Sequence, residues 1–348
     1  MAIKVIIAGL GPRGCDWVRE VRSSLGFELA GCVEIDQQVR QDAADSLGIP
    51  RASCFDDLAE AISKTQCQAV IVATSPKDHE RSCETAIAND LAVLVEKPFT
   101  LRLREAVRLV ELAEQKQTPL LVAQNYRYMR AFRTVRRIID EGKLGRINSI
   151  TCQYFRPPHQ MAASLLGLEH SILYGMSVHH LDALRSILGK EIHSVMAESF
   201  AASDESPAGA SFRALLAFED GPRLSYFATY ESSGFEFFER GQQFYARLVG
   251  ERGTLHVFQR WLIFCERGKL PRMVSRGKRH TTEEQILLQQ LERAILHGDS
   301  AEVSGRDNLQ TMALLEACMQ SSAERKWINP QDLLNDAESK YAVAGNRD

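Results

Sequence analysis

The sequence has no run of about 18 apolar residues, the length at which a membrane span is suspected, and no block of basic residues. Lysine and arginine together number 42 against 45 aspartates and glutamates, a net charge of −3. Nucleic acid and anionic membrane surfaces attract clustered positive charge, so neither is expected as a partner. The eight cysteines (Cys15, Cys32, Cys54, Cys67, Cys83, Cys152, Cys265 and Cys318) form no CxxC pair. A zinc site and a redox dithiol are therefore not expected, and reduced thiols fit a cytoplasmic protein. The opening stretch MAIKVIIAGLGPRG has too short an apolar run for a signal peptide, and a glycine turn stands where a cleavage site would be. There is no internal repeat and no low-complexity tract. What is present is ordinary globular material: 348 residues, 45% hydrophobic and 25% charged, enough for two domains with real cores.

Up to about residue 123 short apolar runs alternate with helical patterns. Ile3–Ala8, Phe27–Val33, Ala69–Ala73, Ala92–Val95 and Leu120–Ala123 are continuous rather than alternating, as parallel strands buried on both faces should be. Leu103, Ala106, Val107, Val110 and Ala113 line one helical face, with Thr100 as the expected N-cap. The expectation is an α/β protein with an N-terminal doubly wound parallel sheet of Rossmann type over residues 1–125. Beyond about residue 145 the periodicity shifts towards two. Arg146–Arg156, Glu191–Ala202, Ser211–Phe218, Arg223–Glu231, Gln243–Gly250, Thr254–Phe258 and Trp261–Cys265 predict a large, mostly antiparallel sheet. This places an α+β domain over 126–348, with late helices from Thr281-Thr282 to Gly298 and from about Asn308 to Ala323.

The first strand runs into Gly9-Leu10-Gly11-Pro12-Arg13-Gly14, a GxGxxG. Gly9 allows the tight turn, Gly11 lets backbone approach a pyrophosphate, and Gly14 lets helix pack on strand. The helix N-terminus offers free N–H groups to phosphate. Glu34 follows 20 residues after Gly14, at the end of the second strand, where an acid binds the ribose hydroxyls. With Asp36 beside it and no Arg or Lys at positions 35, 37 or 38, NAD is expected in preference to NADP. Ala73-Thr74-Ser75-Pro76 with His79, and Glu96-Lys97-Pro98, follow the third and fourth strands at the same sheet edge. His79 on its own fits a helix surface, whereas Lys97 falls where a nicotinamide would lie. His179-His180-Leu181-Asp182 lies in an expected helix, Met176–Leu188, ending at Gly189. His179 suits a general base near neutral pH, and no further ligand cluster supports a metal.

Taken in order, GLGPRG at 9–14, VEID at 33–36, FDDLAEAI at 55–62, AVIVATSPKDH at 69–79, EKP at 96–98, QNYRY at 124–128, GKLGRI at 142–147, HHLDALRSILG at 179–189 and VGERGTLHV at 249–257 resemble the glucose-fructose oxidoreductase / inositol dehydrogenase / rhizopine-catabolism (Gfo/Idh/MocA) family over nearly the whole chain. The resemblance implies that Lys97 contacts nicotinamide and substrate hydroxyl and that His179 is the acid/base. It implies that Asp182 orients the helix or substrate, and that Glu96 and Pro98 shape the cofactor turn. Tyr126 and Arg127 would begin the substrate contacts, with Tyr154, Arg156, His159 and His170 as further candidates for the pocket wall. The sequence departs from the family's DxGxH pattern: Gly175 stands at the Asp position and Ser177 at the Gly position. Loss of that carboxylate is expected to open volume and admit a larger substrate, or to be made good by Tyr174, Ser177, His180 or the substrate itself.

The expected activity is hydride transfer between nicotinamide and a carbinol or ketone of a sugar, cyclitol or related polyol. Removing hydride from an alcohol leaves a hydroxyl proton for a base, here His179, while Lys97 polarises the oxygen. An NAD-dependent glycoside-cleaving enzyme of the same family and a non-catalytic NAD or metabolite sensor are the alternatives. By resemblance a homodimer or homotetramer is expected, built on the second-domain sheet with Leu215, Leu224, Tyr226 and Phe227 as apolar surface.

Overall fold

Continuous burial along the early strands sets the first sheet. In a computed structural model describing residues 2–158, 161, 165, 167–232, 243–258, 261–277 and 281–345, six strands run in parallel: β1 (Ile3–Ala8), β2 (Phe27–Val33), β3 (Cys54–Phe55), β4 (Ala69–Val72), β5 (Ala92–Val95) and β6 (Leu120–Val122). Their order is β3-β2-β1-β4-β5-β6, with β1 paired in parallel to both β2 and β4. Helices α1 (Pro12–Ser23), α2 (Gln37–Leu47), α3 (Leu58–Thr65), α4 (His79–Ala88) and α5 (Leu103–Gln115) connect them. This is the doubly wound arrangement, with sequential strands joined through helices. The order reverses at β1/β4, and ligands of such sheets bind outside the carboxyl ends of the strands at that point. Arg102, not Thr100, occupies the N-cap of α5. Thr100 instead donates its hydroxyl to the Arg102 carbonyl at 2.8 Å, stabilising the turn ahead of the helix.

The later elements are α6 (Arg130–Asp140), β7 (Ile147–Phe155), α7 (Val178–Leu188), β8 (Ile192–Phe200), β9 (Ser211–Phe218), β10 (Arg223–Thr229), β11 (Gln243–Gly250), β12 (Gly253–Phe258), β13 (Leu262–Glu266), β14 (Arg272–Met273), α8 (Glu283–His297), α9 (Gly305–Glu324) and α10 (Pro330–Gly345). The eight strands form one sheet in the order β14-β13-β12-β11-β7-β10-β9-β8. It is antiparallel except where β10 runs parallel to β7. A five-residue π turn, Leu173–Ser177, precedes α7, which Gly189 ends in the left-handed conformation. Such wide turns concentrate at functional sites.

Two compact units result: Met1–Asn125 with Thr281–Met312 and Ala337–Asp348, and Tyr126–His280 with Ala313–Asp336. A single cut after residue 125 therefore leaves out two later segments that return to the Rossmann unit. Their reason is apolar and polar together. Leu287, Leu288, Leu291 and Ala294 of α8 are buried. Thr282 caps α8 by accepting from Gln285 N at 3.1 Å, and Gln285 Nε2 donates to the Glu20 carbonyl of α1 at 2.7 Å. Val122 N donates to Val303 O at 2.8 Å, adding a partner at the β6 edge.

Period-two burial decides which face of the second sheet is covered. Leu216, Leu224, Tyr226 and Ala228 are buried, while Leu215 is 53% exposed and Phe227 half-buried. Leu224 and Tyr226 thus belong to the covered face and cannot supply oligomer surface, because adjacent strand positions point to opposite sides. Among the described residues no helix is long and apolar enough to cross a membrane, and no group of three or more His, Cys, Asp or Glu side chains could hold a metal ion.

Candidate active site

At the switch point of the first unit the glycine turn is drawn tight from several sides. Gly9 has φ +94°, and a Cβ there would lie 2.6 Å from the Ala73 carbonyl oxygen; one on Gly14 would lie 1.8 Å from that of Gly9. Only glycine fits both places. Gly11 differs: nothing lies within 4 Å of its would-be Cβ, and no side chain caps α1, whose N1 residue is Pro12. Open space at Gly11 before an uncapped helix N-terminus is a fitting cradle for a pyrophosphate.

The Glu34 carboxylate accepts from Leu10 N at 2.9 Å and from Asp36 N at 3.1 Å. It therefore braces the glycine turn from the end of β2, the place of a ribose-binding acid. Asp36 is the N-cap of α2, accepting from Val39 N at 2.9 Å. Arg40, a cation beyond the positions the sequence argument weighed, donates to the main-chain carbonyls of Glu34 and Ile35 and lies 3.9 Å from Asp56.

Arg13 turns its partly exposed guanidinium towards carboxylates. Its guanidinium meets the buried Glu96 carboxylate at 2.6 and 2.9 Å and Glu284 of α8 at 3.3 Å. These carboxylates hold it well above the ordinary arginine value against the opposing effect of burial. Glu96 Oε1 also accepts from Trp17 Nε1 at 2.9 Å. Glu96 thus anchors the start of α1 to the loop that carries Lys97. Trp17 was not singled out from sequence, since its partner Glu96 lies 79 positions away, and the pairing of Glu284 with Arg13 spans 271 positions.

His79 is 1% exposed and no surface residue. Nδ1 lies 2.8 Å from Pro98 O and Nε2 3.2 Å from Thr74 O. The ring pins the loop after β4, Ala73–Pro76, to the Lys97-Pro98 turn after β5. Burial lowers its pKa against the pull of the two carbonyls and Glu96. Both ring nitrogens are thus engaged by carbonyls of the two loops. Lys97 itself is half-buried and follows Glu96, whose Oε2 accepts from Lys97 N at 3.3 Å.

In the second unit His179 stacks on Tyr126, ring centroids 4.0 Å apart and planes 14° from parallel. His180, one residue on, turns to the sheet: Nδ1 is 2.8 Å from the Tyr226 hydroxyl, with Tyr154 and Phe244 at 5.1 and 5.0 Å between centroids. Adjacent helix positions point about 100° apart, and the two histidines accordingly have different surroundings. Arg127 and Asp182 do not point to open space. They form a buried two-pronged pair, both bonds 2.7 Å, with Arg185 3.6 Å from the same carboxylate. Arg185 in turn reaches Glu191 at 2.5 Å. These ion pairs tie α7 to the turn at Asn125–Tyr128, from which Tyr126 stacks on His179. Tyr154 is fully buried and sits close to the half-buried Arg156. His170 Nδ1 bonds Ser199 Oγ at 2.9 Å, while His159 lies outside the described residues.

Gly175 opens no space. A Cβ there would lie 2.5 Å from the Tyr230 hydroxyl and 2.6 Å from Leu165 Cδ1, so the volume a carboxylate would need is filled. Sequence reasoning weighed Tyr174, Ser177 and His180 for this place and missed Tyr230. The available signal was the run Leu224, Tyr226, Ala228, Tyr230, which shares one face of β10 and its extension. Tyr174 instead turns its hydroxyl to Met319 Sδ at 3.2 Å.

Residues 3–124 match the family described as "Oxidoreductase family, NAD-binding Rossmann fold", and residues 132–256 match the "GFO/IDH/MocA C-terminal domain". The chain is 24% identical over 353 residues to an uncharacterised protein of Sinorhizobium fredii, y4oX, covering 94% of each. It is 29% identical over 211 residues to an inositol 2-dehydrogenase of an Arthrobacter species, spanning 60% of each chain. With a D-apiose dehydrogenase of Paraburkholderia graminis it shares 24% over 328 residues, 88% of this chain and 84% of that one. Its fold is that of an oxidoreductase from Agrobacterium radiobacter crystallised with NAD+, L-tartaric acid and magnesium: TM-score 0.86, 20% identity, 96% of this chain and 100% of that one.

Proposed function

The chain belongs to the Gfo/Idh/MocA family and carries that family's NAD-binding Rossmann domain; on that premise we propose that it transfers hydride to or from a carbinol or ketone carbon of a sugar, cyclitol or related polyol. The observation that carries the reading is the preparation of His179, held by its stack on Tyr126 and by the Arg127–Asp182 pair beneath it. The inositol and apiose dehydrogenases among its relatives support the substrate class.

The groups that would hold NAD are the main chain at Gly11–Gly14, Glu34 at the ribose, and the Ala73–Pro76 and Glu96–Pro98 loops. Bound there, the nicotinamide would accept or return the hydride. Lys97 would polarise the substrate oxygen through its ammonium, and His179 would take the hydroxyl proton in oxidation and give it back in reduction. Glu96, Trp17 and His79 keep the Lys97 loop in place without touching substrate. The charges of Glu34 and Asp36 would repel a 2′-phosphate, and Arg40 is already engaged by main-chain carbonyls, which supports NAD over NADP.

A direct test is formation of reduced cofactor by purified protein with NAD and a panel of polyols, aldoses and sugar acids. Net reduction supports a dehydrogenase. Glycoside cleavage without net reduction would replace this reading with redox-assisted elimination. The open face of the second sheet carries exposed Leu215 on β9 and, on β7 and β10, half-buried Phe155 and Phe227, whose ring centroids are 5.7 Å apart. We place a homo-oligomer contact there, and a light-scattering mass of 39.0 kDa at micromolar concentration would contradict it.

A further inference from the structure

The Tyr230 hydroxyl is buried and makes no hydrogen bond to any described residue, although the whole side chain is only 1% exposed. A buried polar atom without a partner is costly, and native exceptions gather at functional sites. Its place is specific. β10 ends at Thr229, and Tyr230 N donates to Ala210 O at 2.8 Å, fixing the residue just past the strand. Ala228 is in register with Tyr154 of β7, so Tyr154 and Tyr230 are near neighbours on one face of the sheet. Tyr126, the residue stacked on His179, and Arg156 both lie close enough to Tyr230 to influence its ionisation. Gly175, against which the hydroxyl packs, is one turn before His179 and on the same helical face.

We propose that the Tyr230 hydroxyl is a substrate contact, donating a hydrogen bond to an oxygen of the sugar or polyol held at His179, in the place where the family pattern offers a carboxylate from position 175. This rests on the oxidoreductase reading above. The exchange changes the chemistry of the contact. An ionised carboxylate can only accept, whereas a neutral phenol donates as well. Burial pushes the Tyr230 phenol well above its ordinary value, so it stays a donor at neutral pH. The ligand side of the contact is then an oxygen lone pair, from an ether, hydroxyl, carbonyl or carboxylate. The site carries one negative charge fewer than the family pattern would give it.

The test is Tyr230→Phe, which removes one oxygen that no described residue bonds. Melting temperature, NADH affinity by fluorescence, and kcat and KM on the best substrate of the polyol, aldose and sugar-acid panel are compared with the unmodified protein. A substrate contact leaves the melting temperature unchanged or raised and NADH affinity unchanged, while kcat/KM falls at least about tenfold. Unchanged kcat/KM overturns the proposal, whatever the melting temperature does. A lower melting temperature with full activity would identify the hydroxyl as a structural group instead. If the unmodified protein binds NADH but reduces no NAD with any member of the panel, the oxidoreductase reading fails, and this inference fails with it.

Discussion

The Tyr230 hydroxyl lies 2.5 Å from where the first side-chain carbon at Gly175 would stand, so these two positions compete for one volume. Gly175→Ala is expected to destabilise the protein by about 1–3 kcal/mol through overpacking, and Gly175→Asp by more. In a Tyr230→Phe background the alanine cost should shrink but not vanish, because Leu165 Cδ1 remains 2.6 Å away. A double-mutant cycle in urea reads this coupling. Strict additivity of the two substitutions would mean that the positions do not meet.

Arg127 and Asp182 form a pair whose side chains are 5% and 1% exposed. Removing one partner strands a buried charge, so Asp182→Ala should cost about 3–5 kcal/mol. Replacing both, Arg127→Met with Asp182→Leu, should cost clearly less than the single change. Chemical denaturation measures both. A fully stable Asp182→Ala that merely loses substrate affinity would return these residues to the substrate contacts implied by family resemblance.

His79 gives a pH dependence whose sign follows from its burial. Its folded pKa is lowered from the ordinary value of about 6.5, so the unfolded chain binds the proton first as pH falls. Stability from this residue is complete above that value and declines as pH drops through it towards the folded pKa. His79→Gln should be less stable than the native protein at pH 7.5, with the gap narrowing by pH 5. Because His170 and His256 are shifted the same way and remain in the variant, the difference between the two curves isolates His79. A gap that widens in acid contradicts the assignment.

Glu34 braces Leu10 and Asp36 through their main-chain N–H groups besides standing at the ribose position. Glu34→Ala should weaken NAD binding by about 1–2 kcal/mol and narrow the preference over NADP. Isothermal titration with both cofactors checks this. Equal or tighter NADP binding by the unmodified protein would overturn the preference.

The strands were legible where burial on both faces leaves an unbroken apolar run, and β1, β2 and β5 have the bounds that their runs suggest. β3, two residues long, carries too little pattern to be seen. α10 was missed because most of its described side chains are exposed or half-buried, with Pro330 and Leu334 the buried apolar exceptions, so it has no stripe to read. The π turn at Leu173–Ser177 was invisible because a wide turn and an α turn have nearly the same apolar spacing over five residues. At the site, spacing pointed to Gly9, Glu34, Lys97 and His179. It could not show that Arg13, Arg127 and Asp182 each meet a buried charge. The Tyr230–Gly175 relationship spans 55 positions and exists only once the residue after β10 packs against the turn before α7.

The chemistry proposed for Lys97 and His179 is tested most directly by the rate of NADH formation by Lys97→Ala and His179→Ala with the substrate that the unmodified protein uses best. It predicts that kcat falls by about two orders of magnitude or more in each variant, as expected on loss of an acid/base or polarising group, while NAD affinity stays within about twofold. Near-normal turnover in either variant, with the fold intact, would contradict the role assigned to that residue.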